Sequence, residues 1–232
     1  MSLLEVQGLN SYYGDSHILF NLNLRVEPHE VVALLGRNGA GKSTTFKSLM
    51  GMVKPRSGSV IFEGKQISGL PPHKIALEGL QLVPEERRIF GSLDVEENII
   101  LAGLTAKGRW SLERIYDLFP RLAQRKNSSG TSLSGGEQQM LAIARALVRD
   151  PKMIMLDEPF EGLAPVIVKD LMTACRRLAA DGLTILLVEQ NLAATLALAS
   201  RAYIVNNGHI VHEGTTAELK ADPTMLHRYL GV

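Results

Sequence analysis

The chain reads as an α/β protein with a mostly parallel sheet, an antiparallel β arm and an inserted helical segment. Short apolar runs alternate with helical runs. Val31–Leu35, Met153–Leu156 and Thr184–Val188 are continuous and apolar, as strands buried on both faces are. Helical stretches at Thr44–Met50, Pro165–Ala180 and Asn191–Ala199 follow them, the alternation of a three-layer α/β core. By contrast, Ile18–Val26 alternates, placing Ile18, Phe20, Leu22, Leu24 and Val26 on one face of a half-buried antiparallel strand.

In chain order, Leu3–Gly8 and Ser59–Phe62 complete the arm with Ile18–Val26. Pro71-Pro72, after a Gly/Ser cluster, marks a loop; His73–Leu80 then reads as helix and Gln81–Val83 as a short strand ended by Pro84. From about Phe90 to Leu147 the pattern is helical in pieces: Val95–Leu101, Leu112–Phe119 and a helix ending at Leu147, with a polar Gly/Ser-rich linker at Arg125–Thr131. Asn207-Gly208, between Tyr203–Val205 and Ile210–Val211, is a hairpin turn. Thr215–Lys220 and Pro223–Leu230 are short terminal helices. The expected division is a core of 1–89 with 148–232 and a helical subdomain of 90–147.

Composition narrows the function. At 45% hydrophobic residues the chain can bury a sizeable core, and its formal net charge of +1 is spread without a basic stripe, so no nucleic-acid partner is expected. The single cysteine, Cys175, falls in a helical run, which fits a packing role and a reducing compartment. No basic-then-apolar leader opens the sequence, so no signal peptide is expected, and no apolar run approaches the ~20 residues that cross a bilayer.

Three motifs carry the chemistry. Gly36-Arg37-Asn38-Gly39-Ala40-Gly41-Lys42-Ser43, followed by Thr44, matches G-x-x-x-x-G-K-[ST] between a strand and a helix. Its glycines let the backbone wrap a phosphate, Lys42 reaches the β- and γ-phosphates, and the Ser43 hydroxyl suits Mg²⁺. Met153–Leu156 delivers Asp157 and Glu158 at a strand's carboxyl end, where open α/β sheets bind ligands. Asp157 is placed to hold Mg²⁺ through water and Glu158 to orient and deprotonate an attacking water. Between these motifs, Leu133-Ser134-Gly135-Gly136-Glu137-Gln138 opens a helix with a hydroxyl and bare N–H groups, an arrangement that binds phosphate.

In these motifs, and along essentially its whole length, the chain resembles the ATP-binding subunits of ABC transporters. The resemblance implies a P-loop NTPase core with an inserted signature subdomain, ATP and Mg²⁺ as ligands, and action in pairs. Ser134, Gly135, Gly136 and Glu137 are then expected on ATP held by a partner subunit, and Tyr13, with Tyr12 as the alternative, on the adenine. Three positions depart from the usual pattern. Glu85 stands where a Gln meets Mg²⁺ and the attacking water, Gln190 where a His meets the γ-phosphate, and Ala164 where an Asp is usual.

Pro84-Glu85, Arg87-Arg88, Glu96-Glu97-Asn98, Leu118–Leu122, Gly162-Leu163-Ala164-Pro165 and Val188-Glu189-Gln190-Asn191 resemble one of the two ATPase subunits of bacterial and archaeal branched-chain amino-acid importers. Urea and short-amide importers share much of this wording. That resemblance implies a peripheral protein on the cytoplasmic membrane face. Its partners would be a sister ATPase (or a second copy of itself), two transmembrane permeases and, indirectly, a periplasmic or extracellular substrate-binding protein. The alternative is a soluble ABC-type ATPase of chromosome, repair or translation machinery. Against it stand the short, heptad-free interval from Ser43 to Leu133, the lone cysteine and the single ATPase unit.

Overall fold

The computed structural model describes residues 2–104 and 108–230. The chain runs β1 (Leu4–Tyr13), β2 (Ser16–Val26), β3 (Val31–Leu35), α1 (Lys42–Leu49), β4 (Ser57–Phe62), β5 (Lys65–Gln66), α2 (Pro72–Leu77) and β6 (Leu80–Val83). Four helices follow: α3 (Val95–Gly103), α4 (Leu112–Leu118), α5 (Pro120–Gln124) and α6 (Gly135–Leu147). Strand–helix alternation then resumes with β7 (Met153–Asp157), α7 (Pro165–Ala180), β8 (Thr184–Glu189), α8 (Leu192–Leu198) and β9 (Arg201–Asn206). The chain closes with β10 (His209–Thr215), α9 (Thr216–Ala221) and α10 (Pro223–Leu230).

A six-stranded sheet has the order β10-β9-β3-β8-β7-β6 and is parallel except at β10; a four-stranded antiparallel sheet, β2-β1-β4-β5, forms the arm. The expected fold class is therefore present. Side chains of β3 show how the layers join. Val31, Ala33 and Leu35 enter an apolar cluster with the helices of one face, while Val32 and Leu34 enter a second cluster with the arm and α1. Cys175 is buried in the first cluster, where desolvation pushes its thiol up to about 12, so it packs and does not react.

Register brings the functional loops to one edge. Leu35 at the end of β3 pairs with Glu189 of β8, and Asp157 at the end of β7 pairs with Val188. The three loops that leave these strand ends are consequently neighbours, whatever their separation in sequence.

The arm departs from simple alternation. Leu22, Leu24 and Val26 are buried as expected, but Leu19 takes the next inward position and Ile18 and Phe20 do not. Asn21 has a φ of 49°, and the β1–β2 pairing shifts register between Leu9 and Ser11 and again between Ser11 and Tyr12, so the period-2 phase breaks there. The helix expected to run to Leu80 stops at Leu77, because Gly79 has a φ of 105° and Leu80 opens β6.

Candidate active site

The phosphate loop is built by a buried strand and held by a distant hairpin. β3 is buried along its whole length and ends at Leu35. The loop closes at Gly41, whose φ of 113° suits only glycine, and α1 begins there without a side-chain cap, leaving first-turn N–H groups for an anion. From the other side, the Gly208 N–H donates to the Ala40 carbonyl at 2.8 Å, while the Gly208 carbonyl accepts from the Phe20 N–H at 3.0 Å. Asn207 and Gly208 have φ of 46° and 78°, the left-handed pair that a two-residue hairpin turn demands. The hairpin tip thus ties β2 to the phosphate loop.

Lys42 is buried and folded onto the loop: its Nζ donates to the carbonyls of Gly36 at 2.9 Å and Arg37 at 3.2 Å. Glu158 Oε1 lies 3.5 Å away. Glu158 itself occupies a left-handed conformation with a φ of 47°, and its N–H donates to the Val188 carbonyl at 2.9 Å. A non-glycine residue in that region is held there by its surroundings, and such residues cluster at functional sites. The other carboxylate oxygen, Oε2, accepts from Gln190 Nε2 at 2.7 Å.

These groups surround a cavity of about 460 Å³. Asn38, Gly39, Gly41, Lys42, Ser43, Thr44, Glu85, Glu158 and Gln190 line it, with Ile18 and Glu161, which the motifs did not single out. Gly36 and Arg37 face Lys42 with their carbonyls, and Ala40 is buried beneath the hairpin tip. Tyr13 stands at the end of β1, outside the lining and 46% exposed. Tyr12 is occupied: His17 stacks on its ring at 4.0 Å and the Arg56 guanidinium lies 4.0 Å from the ring centroid.

Ser43 Oγ donates to Asp157 Oδ1 at 3.3 Å, and Asp157 is buried. Desolvation, reinforced by the charges of Glu158 and Glu85, pushes the Asp157 carboxyl up to about 6 against the opposing hydrogen bond from Ser43. A hydrogen bond with Glu158, together with partial burial, likewise raises the Glu161 carboxyl. The donor set fits Mg²⁺. A hydroxyl and a carboxylate converge, the surrounding acids repel one another, and a divalent cation relieves that repulsion. Among the described residues no cluster of His, Cys, Asp and Glu forms a metal cage of its own.

The signature lies apart from this cavity, at the start of α6. Ser134 caps the helix in a reciprocal box with Glu137: the Glu137 N–H donates to Ser134 Oγ at 3.4 Å, and the Ser134 N–H donates to Glu137 Oε2 at 2.8 Å. Ser134 is exposed, Gly135 half-buried and Gly136 buried. Arg87, with a φ of 60°, donates from Nε to Gln139 Oε1 at 3.2 Å, and its guanidinium lies over Gly135, 3.2 Å from where a Cβ would stand. The loop bearing Glu85 therefore touches the signature of its own chain.

Glu189 belongs to a motif that carries the family resemblance, but the motif gave it no role of its own. It ends β8, is buried, and its carboxylate accepts from three backbone N–H groups, those of Phe160, Gln190 and Asn191. Burial raises its carboxyl, and the three N–H groups act against that shift.

Residues 19–161 match the ABC transporter family. The high-affinity branched-chain amino acid transport ATP-binding protein BraG of Pseudomonas aeruginosa is 42% identical over 99% of this chain and 100% of its own length. The lipopolysaccharide export system ATP-binding protein LptB of Escherichia coli K12 is 38% identical, covering 100% of this chain and 98% of its own. The ADP conformation of MJ1267, an ATP-binding cassette of an ABC transporter, superposes with a TM-score of 0.86 at 27% identity and covers both chains fully. Family match, full-length identity and shared fold agree with the site geometry: the chain belongs to the ABC transporter family, as an ATP-binding subunit of its ATPase class.

Proposed function

We propose that this chain hydrolyses ATP to power an importer of branched-chain or related amino acids, working from the cytoplasmic face of the membrane through separate permeases. The observation that carries the reading is the convergence of Lys42, Glu158 and Gln190 on one cavity in a chain 42% identical to BraG along its length. Among the described residues no helix is long and apolar enough to cross a membrane, which fits a pore supplied by other chains.

In this reading residues 1–89 and 148–232 form the nucleotide-binding core and 90–147 the signature-bearing subdomain. The loop from Gly36 to Thr44 cradles the phosphates, with Lys42 leaving its two carbonyl partners for the β- and γ-oxygens. Tyr13 stacks the adenine, since the Tyr12 ring is already engaged by the His17 ring and the Arg56 guanidinium. Ser43, Asp157 through water, and Glu85 would hold Mg²⁺, which would supply charge to offset the developing negative charge. Glu158 takes the proton of the attacking water, and Gln190 exchanges its bond to Glu158 for one to the γ-phosphate. The exposed Ser134, with Gly135, Gly136 and Glu137, serves ATP bound to a partner.

A cavity of about 420 Å³ between Pro84, Arg87, Arg88, Phe90, Leu101 and Arg145 suits a permease helix with apolar and acidic side chains. It supports docking of the permeases around Glu85–Asn98. The similarity to LptB favours a second reading, export of a lipid-linked substrate. Reconstitution with the permeases and binding protein from the same operon decides between them. Turnover that rises with a loaded amino-acid-binding protein supports import; no response to any amino acid overturns it.

A further inference from the structure

The loop that carries Gln190 and the turn that carries Glu158 leave neighbouring strands, β8 and β7, and a single buried side chain fastens both. Glu189 is 2% exposed at the end of β8. Its Oε1 accepts from the Phe160 N–H at 2.9 Å, and its Oε2 accepts from the N–H groups of Gln190 and Asn191, each at 3.0 Å. Phe160 belongs to the turn opened by Glu158, which the Glu161 N–H closes onto the Glu158 carbonyl at 3.2 Å. Asn191 begins the next helix, accepting from the Ala194 N–H at 3.0 Å.

We infer that Glu189 is a positioning residue for hydrolysis, setting the Gln190 amide against the Glu158 carboxylate by holding both loops on one carboxylate; this rests on the hydrolytic reading above. Among the described residues no cation pairs with Glu189, so its charge rests on three backbone donors. Each donor belongs to one of the two segments whose mutual placement fixes the 2.7 Å bond from Gln190 Nε2 to Glu158 Oε2. An amide at this position has one acceptor oxygen, and its NH₂ then faces at least one N–H that has lost its partner. The loops separate, and a displacement of about 1 Å between reacting groups costs up to on the order of 10²-fold in rate.

The test measures kcat, KM and the affinity of a fluorescent ATP analogue for wild type, Glu189→Gln, Gln190→Ala and the double variant. Glu189→Gln is expected to lower kcat by about tenfold or more while nucleotide affinity stays within about twofold. In the Gln190→Ala background the same change should cost almost nothing further, because the group being positioned is gone. Unchanged kcat in Glu189→Gln, an equal loss in both backgrounds, or affinity falling in step with kcat overturns the inference. If Glu189→Gln loses its cooperative melting transition, Glu189→Asp replaces it: the carboxylate stays, but one methylene too short to span from Gln190 to Phe160. Wild-type turnover no higher than that of Glu158→Gln overturns the hydrolytic reading itself. Active wild type with unaffected Glu189 variants overturns only the positioning role.

Discussion

Gln190 Nε2 donates to Glu158 Oε2 at 2.7 Å, across the gap between two strand ends 32 residues apart. The same carboxylate lies 3.5 Å from Lys42 through its other oxygen. The proposed general base is therefore held between a neutral donor and a cation, both of which the proposed mechanism also assigns to the phosphates. Replacing Glu158 by Gln keeps shape and one acceptor oxygen but removes the base. Phosphate release should fall by on the order of 10²–10⁴, with fluorescent-nucleotide binding retained. Turnover near wild type would take the role away from Glu158.

Two of the three departures from the usual pattern, Gln190 and Glu85, line the cavity itself. Gln190 can donate one amide N–H to a γ-phosphate but cannot become cationic, and Glu85 adds a negative charge to the cavity wall. Restoring the common residues together, Glu85→Gln with Gln190→His, should raise the turnover of the purified chain. Steady-state kinetics at fixed Mg²⁺ decides the matter: equal or lower turnover means that this site is tuned around its own pair.

Much of the site is legible in contiguous motifs, because a phosphate loop, a capped anion-binding helix start and a strand-end carboxylate pair each need their residues next to one another. What escapes motif reading depends on distant partners. Ile18 enters the cavity wall only because Asn21 adopts a positive φ and shifts the phase of β2, which its alternating sequence conceals. Resemblance favours Tyr13 and leaves Tyr12 as the alternative; only the fold shows that Arg56 and His17 engage the Tyr12 ring. Glu189 gains its donor from Phe160, on the far side of β7's end, only when β7 and β8 lie side by side.

Asp157 supplies a pH prediction. Burial and neighbouring acids push its carboxyl up to about 6 in the nucleotide-free fold, above the ordinary range. The native state then binds more protons than the unfolded chain between roughly pH 4 and 6, so stability falls as pH rises through that window. Asp157→Asn removes the charge. Its melting temperature should exceed that of wild type by several degrees or so at pH 7.5, and by much less at pH 5. Equal gaps at both pH values would contradict the assignment. With Mg²⁺ and ATP the order should reverse, since the charged carboxylate would then hold the cation through water.

Gly208 should be the most sensitive position outside the motifs. A Cβ there would stand 1.9 Å from the Ile18 carbonyl oxygen and 2.8 Å from the Phe20 ring, on a backbone with a φ of 78°. Gly208→Ala should cost about 2–4 kcal/mol of stability. It should also weaken nucleotide binding, because the Gly208 N–H steadies the phosphate loop at Ala40. Denaturant titration and nucleotide titration separate the two effects; a stable variant with wild-type affinity would show that the hairpin tip is not a brace.

Assembly follows from what this chain lacks. A homodimer would hold Glu85, Gln190 and Ala164 at both sites, so neither would have the usual loop Gln, switch His or cross-interface Asp. A sister ATPase that keeps those residues would give one site the usual Gln and His. The exposed Ser134 and the bare N–H groups of α6 would then serve ATP on the sister's phosphate loop. The complex expected from the whole operon thus contains one copy of this chain, one sister ATPase and two permeases, docked around Glu85–Asn98 with Arg87 and Arg88 facing acidic groups. Native mass measurement of the detergent-solubilised complex reads the stoichiometry directly. Two copies of this chain without a sister would refute the pairing while leaving the ATPase reading intact. Glu158→Gln in this chain alone would then distinguish the sites: transport surviving it would place the driving hydrolysis on the sister's phosphate loop.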